Sequence, residues 1–203
     1  MEYLDIYDEN GNHIGKEERG IVHRDALWHK TIHCWLYDTN GNVFFQRRTE
    51  EKTLYTTASG HISAGETLIE AFAREIKEEI GVLVDYNKAE LVDVITFVMD
   101  REKSDGSMFR DRVFANIYVC EFKDELNTFD FDPNELLGLV RVNAKEALEL
   151  FKKEDGSING TEIDVNNVIT EKSIDFKEFL VNDMETATGK YGAVLEKIID
   201  LCS

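Results

Sequence analysis

Apolar and polar positions change rhythm several times along this chain, and each change predicts an element. Short apolar runs at 4–7 and 13–15 flank Asp8-Glu9-Asn10-Gly11-Asn12. Asn-Gly favours a tight turn because both residues tolerate positive φ, so a hairpin is expected. A stronger hairpin spans 31–46, with an aromatic and β-branched run at 31–37, a turn at Asn40-Gly41-Asn42 and a return through Val43-Phe44-Phe45-Gln46. Segment 55–63 reads as a further short strand. Residues 67–80 then switch to helical spacing, with Leu68, Phe72, Ile76 and Ile80 four apart. Strands are predicted at 82–84, 91–98, 113–122 and 137–142, with a short helix at 143–152. The tail from about residue 160 predicts helical stretches near 174–183 and 190–202. This order points to a mixed α/β domain.

Composition narrows the class. The chain has 203 residues, of which 42% are hydrophobic, enough for one substantial core. No repeat, low-complexity tract or proline-rich linker divides it, since Pro133 is its only proline. One domain over 1–203 is expected, with a core at about 27–150, an N-terminal hairpin segment at 1–26 and a helical extension at 151–203. Lys plus Arg total 23 against 41 Asp plus Glu, a net charge of −18, which argues against nucleic-acid binding and against docking on anionic lipid. No run approaches the ~20 apolar residues of a membrane span. The start Met1-Glu2-Tyr3-Leu4-Asp5 has no basic region before an apolar one, so no secretory signal is expected. Cys34, Cys120 and Cys202 show no close pairing and fit a reducing cytoplasm.

The chemistry concentrates in residues 60–82. Thr67 followed by Glu70 is a capping-box pattern that starts a helix, and Gly81 suits the left-handed position that ends one. Glu75, Glu78 and Glu79 stand at i, i+3 and i+4, so at ~100° per residue they share one side of that helix. Three carboxylates so close repel one another unless a cation sits among them, and a hard divalent ion suits oxygen ligands and substrate phosphates. A solvated acidic face is the alternative reading of the three glutamates taken alone.

Gly60, five residues, Glu66, seven residues, then Arg74-Glu75-Ile76-Lys77-Glu78-Glu79-Ile80-Gly81-Val82 matches the Nudix box without gap or substitution. The chain therefore resembles a Nudix hydrolase. The resemblance implies an α/β/α sandwich with a mixed sheet, and a loop–helix–loop around Mg²⁺ or Mn²⁺. It implies that Glu75 and Glu79 are core metal ligands, that Glu78 is a further ligand or the water-activating base, and that the Gly60 carbonyl can also ligate. Glu66 and Arg74 would hold loop and helix together. Many family members carry an extra carboxylate as base or ligand near the position of Glu135; a turn acid is the alternative there.

A second resemblance covers about residues 22–62. His23-Arg24-Asp25-Ala26-Leu27-Trp28-His29, then Gln46-Arg47-Arg48-Thr49-Glu50-Glu51-Lys52, then Ser59-Gly60-His61 is similar to type I isopentenyl diphosphate isomerase. That likeness implies metal binding by His23, His29 and His61, and diphosphate contacts from Arg48 and Lys52. As surface or strand-edge residues, His23 and His29 would need no function. The isomerase carries a catalytic cysteine before its Gly-His pair, where this chain has Ser59, and a hydroxyl is a far weaker acid than a thiol.

Arg47 and Arg48 alternate at a strand end, so at most one faces the site. Arg48 and Lys52, with His61, are the expected substrate-binding residues, with Arg110 and Arg112 next in line. The expected function is Mg²⁺-dependent hydrolysis of a diphosphate bond in a nucleoside-diphosphate-linked or related organic pyrophosphate, by a cytoplasmic enzyme for which a homodimer is one assembly open to it. The alternatives are an isomerase-like enzyme and a diphosphate-binding module without turnover.

Overall fold

The computed structural model describes residues 1–49, 52–102, 106–123, 126–180 and 189–203. The predicted first hairpin is present: β1 (Tyr3–Tyr7) pairs antiparallel with β2 (His13–Glu18). Asp8 accepts hydrogen bonds from the amides of Asn10 and Asn12 and so closes the turn. Helix α1 (Arg19–Asp25) follows and ends at Ala26 in the left-handed region. Its seven residues span two turns, too few for a hydrophobic period to register in the sequence.

The rest of the chain builds β3 (His29–Tyr37), β4 (Asn42–Arg48), short β5 (Leu54–Tyr55) and β6 (Ala58–His61), helix α2 (Leu68–Ile80), β7 (Glu90–Glu102), β8 (Met108–Glu121), β9 (Leu136–Asn143), α3 (Ala144–Lys153), β10 (Ser157–Asp164), β11 (Ile169–Asp175) and α4 (Lys190–Leu201). Among the described residues the nine strands after the first hairpin form one sheet, in the order β11-β10-β9-β4-β3-β8-β7, with β5 on β4 and β6 on β3. β3 and β8 run parallel and the other ladders are antiparallel, so the sheet is mixed.

Side chains alternate across the strands and create two cores. Ile32, Cys34, Leu36 and Phe44 point to one face and pack on Phe72, Ile76 and Ile80 of α2. Trp35, Val43, Phe45 and Val140 point to the other face, against Ala147 and Phe151 of α3 and Tyr191, Val194 and Ile198 of α4. The result is the expected α/β/α sandwich.

Three expectations need correction. Residues 82–84 form no strand: Val82 is buried in the α2-side core, but the segment has no strand partner. Segment 151–203 is not simply helical, because β10 and β11 extend the sheet before α4 begins. The sequence of β10, Ser-Ile-Asn-Gly-Thr-Glu-Ile-Asp, is poor in strand formers, and its ladders to β9 and β11 override that local preference. Near 174–183 the capping signal is real, since Asp175 and Glu178 form a capping box, but it starts only a single 3₁₀ turn at Phe176–Glu178. Positions 181–183 of that expected helix lie outside the described residues.

Helix α2 begins and ends as predicted. Thr67 and Glu70 cap its start reciprocally, and Gly81 ends it with φ of 72°. The Asp130 and Asp132 amides then donate to the Ile80 and Glu79 carbonyls at 3.0 and 3.2 Å, so the following loop satisfies the exposed end of the helix. A Cβ at Gly81 would lie 2.4 Å from Asp130 Cβ and 2.5 Å from its carbonyl oxygen. Gly81→Ala combines left-handed strain with this clash, and we expect it to cost about 2 kcal/mol or more. Urea unfolding measures the loss; a midpoint equal to the parent's would show that the loop does not rest on this contact.

Candidate active site

Strand β6 and helix α2 meet at the floor of a cleft of about 770 Å³. From β6 come Ser59, Gly60 and His61, and from α2 come Glu75, Glu78 and Glu79, all lining the same cleft. Glu79 is only 7% exposed, and its Oε2 accepts from the Ser59 amide at 3.0 Å. A methyl group on Gly60 would sit 2.0 Å from the Glu75 carboxyl carbon, so only glycine lets that carboxylate lie against the strand. Glu78 points outward, with its side chain 61% exposed.

Arg74 organises these groups from below. Its Nε and Nη2 donate in parallel to the two Glu66 oxygens, both at 2.8 Å, and Nη2 also donates to the His61 carbonyl at 2.9 Å. Its Nη1 reaches Glu75 Oε1 at 2.6 Å and Glu78 Oε2 at 3.2 Å. Glu66 in turn accepts from the Ser63 amide. One guanidinium thus ties loop, strand and helix together.

Burial pushes the carboxyls of Glu79 and Glu75 above the usual range, Glu79 far more than Glu75. Glu135 adds to both shifts from across the cleft, and Glu75 adds to that of Glu79. Glu135 is delivered by the loop that caps α2, where Thr49 holds its carbonyl through amide and hydroxyl. Arg48 lines the cleft and opposes the rise at Glu79.

A second cluster adjoins the first. The rings of His23, His29 and His61 stand 5.1 Å apart in all three pairs, centroid to centroid. Each offers a ligating nitrogen within 4.8 Å of the others. Nδ1 of His29 lies 3.1 Å from the Leu27 carbonyl, and Nδ1 of His23 lies 3.4 Å from the Arg110 carbonyl. With Nδ1 as the donor in those contacts, Nε2 of each ring would carry the lone pair, and both Nε2 atoms are buried without a hydrogen-bond partner. Asp111 Oδ1 approaches both rings, at 3.5 and 3.3 Å. Burial first, then the neighbouring His29, Arg19, His23 and Arg74, hold His61 down at about 2. A cluster of three imidazoles with an adjacent carboxylate fits a divalent transition ion.

Other expected residues are placed elsewhere. Lys52 has an exposed side chain and does not line the cleft; it takes φ of 57° in the loop before β5. Arg47 faces away from the cleft and pairs with Glu162 and Glu178. Arg110 donates to the Arg24 carbonyl and Arg112 to Asp100, so neither enters the cleft. Asp111, Tyr55, Asn134 and Lys190 were not singled out from the sequence. Asp111 alternates with Arg110 and Arg112 along β8, and that alternation was the available signal.

Comparison with known proteins is consistent with this geometry. The NUDIX domain model matches residues 27–159. An uncharacterized Nudix hydrolase of Clostridium acetobutylicum is 34% identical over 167 residues, covering 78% of this chain and 77% of its own. An isopentenyl-diphosphate delta-isomerase of Cutibacterium acnes is 27% identical over 73% of this chain and 77% of its own. A crystal structure of a Deinococcus radiodurans protein shares the fold with a TM-score of 0.54 at 20% identity, over 75% of this chain and 90% of that one.

The buried Glu79 carries a stability prediction. A raised carboxyl pKa favours the protonated form in the folded chain. The penalty is therefore absent below the usual glutamate value of 4.5 and grows as pH rises toward the folded-state value. Without divalent ions, Glu79→Gln should melt higher than the parent at pH 8, by a few degrees at roughly 1 kcal/mol, and the gap should close near pH 4. Thermal melts in chelator test this; a variant less stable at pH 8 would mean that the carboxylate is satisfied without a cation.

Proposed function

This chain belongs to the Nudix hydrolase family, and from that premise we propose that it cleaves a diphosphate bond in a nucleoside-diphosphate-linked or related organic pyrophosphate with the help of Mg²⁺ or Mn²⁺. The observation that carries the reading is the convergence of the half-buried Glu75 and the buried Glu79 on Gly60 and Ser59 at the cleft floor, where burial raises both carboxyls and a divalent ion between them would favour their ionised forms. These two carboxylates and the Gly60 carbonyl would hold the ion, with Glu78 at the exposed edge as a further ligand. When bound, a divalent ion neutralises charge growing on phosphate oxygens and acidifies the attacking water.

The chain's own residues supply the rest. Arg48 offers a guanidinium to a phosphate, at the cleft wall beside Tyr55. Glu135 and Glu78 are the two carboxylates able to take the proton from the attacking water, one from the capping loop and one from the helix edge. Arg74 positions: it fixes Glu75 and Glu66 so that the ligands need not reorganise during reaction.

The histidine cluster favours a second reading, an isomerase-like proton transfer on isopentenyl diphosphate, with His23, His29, His61 and Asp111 holding an ion. Ser59 lines the cleft where that chemistry uses a thiol, and none of the three cysteines lines it. Burial pushes the Cys34 and Cys120 thiols up, so neither is poised to ionise. Hydrolysis is the stronger reading on these grounds.

Incubation with a panel of nucleoside-diphosphate-linked compounds, Mg²⁺ and isopentenyl diphosphate separates the readings. We expect phosphate-containing hydrolysis products and little dimethylallyl diphosphate. Glu79→Gln should lower hydrolysis by roughly two orders of magnitude, the usual cost of one electrostatic contact made to the transition state. Interconversion of the two isoprenoid isomers at ordinary turnover, with no hydrolysis, would replace the first reading by the second.

A further inference from the structure

The two edges of the large sheet differ in kind. Among the described residues β11 ends it on one side and β7 on the other. β11 has seven residues and carries Glu171, Lys172 and Asp175, charges of the sort that keep an edge from pairing with another chain. β7 runs for 13 residues, and its middle, Val94-Ile95-Thr96-Phe97-Val98, holds neither charge nor proline. Asp93 precedes that run, and Asp100 follows Met99 beyond it.

The run divides between two faces. Leu91, Val94, Thr96 and Val98 share a face with their β8 partners Tyr118, Asn116, Phe114 and Arg112. On that face Leu91, Val94 and Val98 are 51%, 48% and 58% exposed, an apolar stripe left in water along the edge. Ile95 and Phe97 lie on the opposite face, where with Val113 and Ala115 they wall an apolar side pocket of about 80 Å³. Thr31, His33 and Asp111 line both that pocket and the cleft. A long, apolar edge is a template for one more strand. In a chain of net charge −18, an uncharged run gives a basic partner nothing to hold, and it is a place where two acidic copies meet with little repulsion.

The run is also complementary to itself. In an antiparallel pair about a two-fold axis at Thr96, Val94 meets Val98 of the second copy, Ile95 meets its Phe97, and Thr96 meets its Thr96. Moving the axis to Phe97 would set Asp100 opposite Val94, and moving it to Ile95 would set Asp93 opposite Phe97. The Thr96 axis keeps both aspartates outside the run. The irregularity between Leu91 and Asp93 then ends the regular ladder before Glu90 would face Glu102.

We propose that two copies of this chain pair antiparallel along β7 about Thr96, joining their sheets into one. On the side-pocket face Phe97 of each copy then stands opposite Ile95 of the other, so the second copy extends the apolar wall beside the cleft.

Sedimentation velocity on the full chain, over a wide range of concentration, should show a dimer. Val94→Lys with Val98→Lys sets like charges directly opposite across the axis and should weaken the dimer about tenfold or more. Both valines are exposed, so melting temperature should change little. Val94→Lys with Val98→Glu sets opposite charges together at the same two positions and should restore most of the affinity. Thr96→Cys, which meets its own copy, should form an intermolecular disulfide under mild oxidation, above the background of the unaltered protein; Val94→Cys should not. Should the lysine pair fail to fold, the Thr96→Cys and Val94→Cys comparison decides. A monomer at every concentration overturns the proposal, as does a dimer that the lysine pair leaves unchanged. A dimer that the lysine pair weakens, but that neither the Lys–Glu pair restores nor Thr96→Cys links, overturns it too, because β7 would then meet something other than its own copy in this register.

Discussion

The site depends on a parting of strands. β3 and β4 begin as an antiparallel pair, yet their ladder is limited to Tyr37 opposite Val43. Beyond that point the strands diverge, and the backbone groups on their inner edges would be buried and unpaired, which is costly. Thr56 and Thr57 fill the gap. The Leu36 amide donates to the Thr57 hydroxyl at 3.0 Å, the Thr57 hydroxyl donates to the Phe44 carbonyl, and the Thr56 hydroxyl donates to the Cys34 carbonyl at 3.1 Å. This polar wedge holds β6 beside β3 and opposite α2. Without it, Gly60 would not face Glu75 and no cleft would open.

Acidic crowding is the second constraint, and it follows from the first. The wedge brings Ser59 against Glu79 and Gly60 against Glu75, drawing both carboxylates out of water. Arg74 compensates part of the charge, but it already serves Glu66 and the His61 carbonyl. Desolvation and mutual repulsion outweigh the single Ser59 amide and the Arg48 field at Glu79, since its pKa rises despite both. On the proposed function, a divalent cation among these carboxylates would relieve the arrangement, and structure and activity would be coupled through the same ion.

β6 also joins two kinds of chemistry. Ser59 and Gly60 serve the carboxylates, while His61 belongs to the histidine cluster, whose other members come from α1 and the start of β3. Apart from their shared strand β6, the two sets rest on different elements: α2 carries Glu75, Glu78 and Glu79, while α1, the start of β3 and β8 carry His23, His29 and Asp111. The C-terminal segment then closes the far end by placing Lys190 against Tyr55.

The mixed α/β class, the span of α2 with its caps, and the shared face of Glu75, Glu78 and Glu79 were legible in the sequence, because each rests on local spacing, whereas the α/β/α layering and the choice of Arg48 over Arg47 came from the family resemblances. Periodicity and caps act over a few residues, and the chain states them directly. The entry of β10 and β11 into the sheet was not legible, since their polar sequences take strand form only through partners. The exposure of Lys52, the pairing of Arg110 and Arg112 away from the cleft, the approach of Asp111 to His23 and His29, and the arrival of Lys190 beside Tyr55 belonged to the tertiary structure alone. Those contacts join residues tens to more than a hundred positions apart, and which distant side chains meet is set by strand order and by the direction each backbone leaves the sheet. No local pattern encodes that.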